Sequence, residues 1–137
     1  MASPPTSSGK DAPQYAGQPV RIYHNQQCAK SREALDYLQQ QGVQPEVYDY
    51  IANPLSVDEL RELVRMLGIA PSSLIRSSDF KRLNLQPTSN YDKLLGLIAQ
   101  HPSLMERPIV VVGKIARIGK PIENLYELFG NATRRKS

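Results

Sequence analysis

Hydrophobic positions along this chain follow two periods, and the change from one to the other marks its elements. Val20-Arg21-Ile22-Tyr23-His24 has the β-branched and aromatic content of a short buried strand, closed by Asn25. From Ser31 the spacing becomes helical: Ala34, Leu35 and Leu38 recur with Glu33, Asp36, Gln39 and Gln40 between them, and Gly42 stands where a helix ends. Glu46-Val47-Tyr48-Asp49-Tyr50 then reads as a second strand. Residues 20–50 therefore predict a β-α-β unit, whose right-handed crossover makes the two strands parallel.

The middle of the chain stays helical. Ser56-Val57-Asp58-Glu59 has the form of a capping box, and Leu60, Leu63, Val64 and Leu67 make the apolar stripe behind it, which predicts a helix from 56 to Gly68. Pro71 followed by Ser72, Ser73, Leu74 and Ile75 predicts a short helix that carries Arg76, and Leu94, Leu95, Leu97 and Ile98 predict another over 90–100. The period then returns to that of a strand. Pro108-Ile109-Val110-Val111-Val112 and Ile115-Ala116-Arg117-Ile118 flank a Gly113-Lys114 turn as a hairpin, and Pro121 opens a last helix. The order β-α-β, helical insertion, β-β-α predicts an α/β (α+β) fold with a four-stranded mixed sheet flanked by helices.

Composition adds limits to this outline. The 137 residues, 40% hydrophobic and 22% charged, fit one globular domain. Residues 1–18 are small, polar and aperiodic, as expected of a disordered leader, which leaves 19–130 as the domain and 131–137 as a basic tail. The net charge of +4 owes three units to Arg134, Arg135 and Lys136; without them fourteen basic residues face thirteen acidic ones. The domain itself is nearly neutral, which argues against nucleic acid as a partner. No apolar stretch approaches the roughly 20 residues that span a bilayer, and the N-terminus lacks a secretory layout, so a cytoplasmic protein without a membrane partner is expected.

The chemistry centres on one thiol. Cys28 is the single cysteine, so no internal disulfide forms and no oxidising compartment is implied. A lone cysteine is ordinarily a small buried hydrophobe. This one falls between a strand end and a helix start, among Asn25, Lys30, Ser31 and Arg32, where free amides and the helix dipole favour a thiolate. His24 adds a titratable group at the end of the preceding strand. Ser31 occupies the place of a second cysteine in a C-x-x-C motif, which excludes a dithiol cycle. Redox turnover would then borrow an external thiol, such as glutathione or a glutaredoxin. No metal site and no tightly bound cofactor are expected.

Ile22-Tyr23-His24-Asn25-Gln26-Gln27-Cys28-Ala29-Lys30-Ser31-Arg32 resembles the Y-H-N-x-x-C-x-x-S-R signature of the ArsC-type arsenate reductases. Leu74-Ile75-Arg76, His101-Pro102-Ser103-Leu104, Arg107-Pro108-Ile109-Val110-Val111 and Arg117-Ile118-Gly119-Lys120-Pro121 match later family blocks in the same order, so the resemblance covers about residues 20–130. It implies a thioredoxin-like fold with a helical insertion, Cys28 as the nucleophile that attacks arsenate to give a covalent arsenic–sulfur intermediate, and His24 as a group tuning the thiolate. It also implies anion binding by Arg76, Arg107 and the position of Lys120, where the family has a third arginine. Asn25, Ser31, Arg32 and Pro108 take supporting places, the last as a cis-proline beside the thiol. Lysine at 120 keeps the charge of arginine and loses its planar fork.

By the same resemblance the protein is expected to be monomeric, with arsenate or a related oxyanion as substrate and glutathione as co-substrate, alone or through glutaredoxin. Two other readings stand beside it. One is a non-enzymatic regulator like the Spx proteins of this superfamily, although the cysteine pair of those regulators is missing. The other is a general thiol protein that exchanges with glutathione. Pro108 read without the resemblance is the first residue of an edge strand. Arg117 and the pair Lys81-Arg82 read as solvated surface, without assigned chemistry.

Overall fold

The computed structural model describes residues 18–130, so residues 1–17 of the expected leader and the expected tail lie outside the described residues. The first strand, β1 (Val20–His24), runs parallel to β2 (Glu46–Asp49) in the register Ile22 to Val47 and His24 to Asp49, and antiparallel to β3 (Ile109–Val112). β4 (Ile115–Ile118) completes a hairpin with β3, and Gly113 makes its turn at a positive φ of 59°. The sheet order is β2-β1-β3-β4, four strands of mixed direction as expected. β3 is an inner strand. Pro108 therefore does not begin an edge strand, and the reading of it as an edge residue is corrected.

Five helices cover the sheet: α1 (Ala29–Gln40), α2 (Val57–Leu67), α3 (Ser77–Arg82), α4 (Tyr91–Gln100) and α5 (Tyr126–Phe129). The capping box of α2 is complete: the Glu59 amide donates to Ser56 Oγ at 3.1 Å and the Ser56 amide to Glu59 Oε1 at 2.9 Å. Gly68 ends that helix in the left-handed region at φ 69°. Two expected helices are tighter and shorter. Pro71–Leu74 is a single 3₁₀ turn, and Pro121 precedes another over Ile122–Leu125 before α5 begins. The turn at Pro71 ends after three more residues, whereas the one after Pro121 runs directly into α5.

Alternation along the strands builds two cores. Ile22, Val110 and Val112 turn to one face with Ala34, Leu38, Leu125 and Leu128, while Tyr23, Ile109 and Ala116 turn to the other with Leu60, Leu63, Leu95 and Leu104. The helical insertion thus packs on one side of the sheet, with α1 and α5 on the other.

The middle of the insertion is tied to its C-terminal end. Ile75 and Met105 form an antiparallel bridge, with the Arg76 amide donating to Leu104 O and the Glu106 amide to Leu74 O, both at 2.7 Å. This clasp lies outside the four-stranded sheet. It brings two chain segments some thirty residues apart beside the end of β1.

Candidate active site

Cys28 is the N-cap of α1, in extended conformation at φ −102° and ψ 123°. The loop that delivers it is held from within. The Cys28 amide donates to Asn25 O at 2.9 Å, the Gln27 amide to Asn25 Oδ1 at 3.0 Å, and the Asn25 amide to the buried Ser31 Oγ at 3.3 Å. Arg32 closes the loop from the helix side, with Nη1 donating to Gln26 O at 2.7 Å. Asn25, Ser31 and Arg32 thus position the thiol. Their side chains are spent on the loop.

The sulfur accepts no capping hydrogen bond and is half-buried. Burial alone raises the pKa of such a thiol, but the Ser31 amide, the Arg107 guanidinium and the Lys30 amide, all directed at the sulfur, outweigh it and hold the group below its ordinary value of 9.0. The first turn of α1 holds no acidic residue to oppose it.

Arg107 comes from the far side of the clasp. Its guanidinium is largely buried, with Nη1 donating to Ser103 O at 2.9 Å, while the buried Nε has no partner among the described residues. The following peptide bond, Arg107–Pro108, is cis, as the resemblance implied. Gly119 crosses close over Pro108, donating its amide to Pro108 O at 2.8 Å; a Cβ there would stand 3.2 Å from Pro108 Cγ and from Leu125 Cδ1.

Arg76 is the N-cap of α3 and bonds through Nη1 to Asp79 Oδ2. Asp79 also accepts from Arg82 Nη2 at 2.8 Å and lies 3.8 Å from Arg107 Nη1. Burial raises its pKa, but Arg82, Arg76 and Arg107 together bring it below the usual carboxylate range. Lys120 is exposed at the rim, with Nζ 3.4 Å from Glu106 Oε1. Arg76 and Arg107 are thus brought together on one carboxylate, while Lys120 is turned to another.

His24 is buried at the end of β1, and its Nδ1 has no hydrogen-bond partner among the described residues. Burial lowers its pKa more than Asp49, opposite it in the register, raises it, and Arg32 lowers it further, which favours the neutral ring. The leading influences on the Cys28 thiol come from other groups.

A sequence profile of the ArsC family matches residues 23–128. The chain belongs to the ArsC family. It is 43% identical over 115 residues to the Escherichia coli protein YfgD, which is uncharacterized, spanning 81% of this chain and 97% of that one. It is 40% identical to an arsenate reductase of Neisseria meningitidis serogroup B, over 77% of this chain and 94% of the other. The solved structure of an arsenate reductase from Vibrio cholerae superposes with a TM-score of 0.75 at 41% identity, covering 81% of this chain and 98% of that one. The thioredoxin-like fold expected from the resemblance follows from these neighbours.

Two residues of this ArsC-family site escaped the sequence reading. Asp79 drew no reading of its own; it is buried, and Arg82, exposed as expected of the pair Lys81-Arg82, reaches back to bond it. Tyr50 read only as the last residue of a strand, yet it is 1% exposed beneath the thiol loop. Among the described residues no group of three or more His, Cys, Asp or Glu side chains is placed to hold a metal, and no helix is long and apolar enough to cross a membrane.

Proposed function

We propose that this protein reduces arsenate to arsenite, with the Cys28 thiolate as nucleophile and glutathione, alone or through glutaredoxin, as electron donor. The observation that supports this reading is that Cys28, at the N-terminus of α1, lies within reach of Arg107, whose guanidinium shares the Asp79 carboxylate with Arg76. The arsenate reductase names of its relatives support it.

Arg107 and Arg76 hold the oxyanion, and Lys120 approaches it from the rim. The thiolate attacks arsenic, a sulfur–arsenic bond forms, and one arsenate oxygen leaves as water after protonation. An external thiolate then attacks the Cys28 sulfur; the electron pair of the sulfur–arsenic bond goes to arsenic, which becomes arsenite, and the two sulfurs are joined in a mixed disulfide. A second external thiol reduces that disulfide and restores Cys28. Neutral His24 tunes the site without adding charge, and Asn25, Ser31, Arg32 and Pro108 keep the loop and Arg107 in place. A reaction fed by glutathione belongs in a reducing compartment, which points to the cytoplasm.

The test is a coupled assay of NADPH oxidation with glutathione, glutathione reductase, glutaredoxin and arsenate, run beside Cys28→Ser. Arsenate-dependent turnover that disappears in the variant is the expected result. Turnover that persists without the thiol rejects Cys28 as nucleophile. A folded wild-type protein with an acidic thiol and no turnover rejects arsenate as substrate.

A further inference from the structure

The buried side chain whose polar atom the proposed reaction leaves unused at this site is Tyr50. The parallel register of β1 and β2 ends at His24 and Asp49, so the next residues, Asn25 and Tyr50, lie side by side where the carboxyl ends of the parallel strands meet the Cys28 loop. Crevices at that end of a parallel pair are where α/β proteins take their ligands. The Tyr50 ring is fixed in the core cluster that includes Leu74, Leu104 and Met105, the residues of the clasp that presents Arg76 and Arg107. Its hydroxyl is fully buried and has no hydrogen-bond partner among the described residues. The Asn25 side chain lies close enough to act on the phenol as a donor, which lowers its pKa, but outside strict hydrogen-bond geometry, and it offers the hydroxyl no acceptor.

A buried phenol donor without an acceptor is costly, and native proteins rarely leave one. The groups whose charge reaches this hydroxyl are Arg107, Arg76 and Cys28: two cations that are donors themselves, and a sulfur. Arg107 Nε, also buried, lacks an acceptor too. Two donors without acceptors beside a nucleophile describe a place for an acceptor-rich group. Burial raises the pKa of Tyr50 more than Arg107 lowers it, so the phenol keeps its proton at neutral pH and remains a donor.

Resting on the oxyanion reading of the site, we propose that the Tyr50 hydroxyl donates a hydrogen bond to an oxygen of the anion held over Cys28 by Arg76 and Arg107. A neutral donor adds direction where the arginines add charge. It also offsets the fork lost with lysine at position 120. Tyr50 is then a substrate-binding residue, anchored by its ring in the core.

The experiment is protection of Cys28 from iodoacetamide by sodium arsenate, which reads anion binding without turnover. In the wild-type protein the alkylation rate falls as arsenate rises and gives a dissociation constant. In Tyr50→Phe that constant rises at least about tenfold, as for a lost hydrogen bond to a charged group. The melting temperature stays unchanged or rises, since the ring remains and a buried unpaired hydroxyl is gone. The pH at which alkylation is half-maximal stays in place. Equal protection in Tyr50→Phe and wild type overturns the role of Tyr50 and leaves the proposed reaction standing. A melting temperature that falls with affinity, or an alkylation profile that moves to higher pH, also overturns it, since the hydroxyl then serves the fold or the sulfur. Absence of protection in the wild-type protein removes the oxyanion site itself, and this proposal with it.

Discussion

Arg107 Nη1 stands 3.8 Å from Asp79 Oδ2, the same oxygen that bonds Arg76, so one carboxylate faces both arginines of the proposed anion site. Asp79 offsets their charge in the free protein and sets where their guanidinium groups lie. An arriving anion meets cations that are already partnered, and binding is an exchange of partners.

Replacing Asp79 by Asn should therefore destabilise the fold, by about 1–3 kcal/mol. That is less than the roughly 3–5 kcal/mol for breaking a fully buried pair, because Arg76 and Arg82 retain contact with water. Urea denaturation checks it. The pH dependence has a definite sign: a carboxylate with a lowered folded value contributes stability above its ordinary 3.8, lost as pH falls through the lower folded value. Wild type should lose more stability than Asp79→Asn on going from neutral pH to about pH 3.

Alkylation of Cys28 should rise with pH around an inflection below 9.0, since the folded protein favours the thiolate. The ionised thiol contributes stability above its ordinary value, lost as pH falls through the folded one. Arg107→Ala should move the inflection upward. An unmoved inflection would show that the helix amides act alone.

Much of this arrangement could be read from the sequence, and the parts that could not share a cause. The Cys28 turn, the β-α-β unit and the capping box are written in neighbouring residues, where periodicity and caps suffice. Asp79 takes on its role through Arg107, twenty-eight positions away, and Tyr50 through a register that places it beside Asn25. A carboxylate among Ser, Lys and Arg carries no local mark of burial. The short helix expected at Pro71 is a single 3₁₀ turn, and the last helix opened by Pro121 begins as another before it becomes α5, a distinction that apolar spacing does not carry.

Ser56→Ala removes one half of the box that starts α2. A loss of about 1 kcal/mol is expected, read from denaturant midpoints. Arsenate turnover should be unchanged, since α2 touches none of the site residues named above.

Gly119→Ala forces a methyl group against Pro108 and Leu125, both buried and tightly packed. A cost of about 1–3 kcal/mol is expected from overpacking. The strain falls next to Arg107, so arsenate protection of Cys28 should weaken as well. A variant that is destabilised yet binds arsenate normally would show that Pro108 shifts without moving its neighbour.

The clasp at Ile75 and Met105 carries one more consequence. Its two amide bonds rest on Leu74, Leu104 and Met105, all buried in the core cluster that also holds Ile109 of β3, so opening it uncovers that core. Arg76 and Arg107 are therefore carried on a support as firm as the sheet itself. Hydrogen exchange checks this: the Arg76 and Glu106 amides should exchange as a pair and no sooner than those of β3.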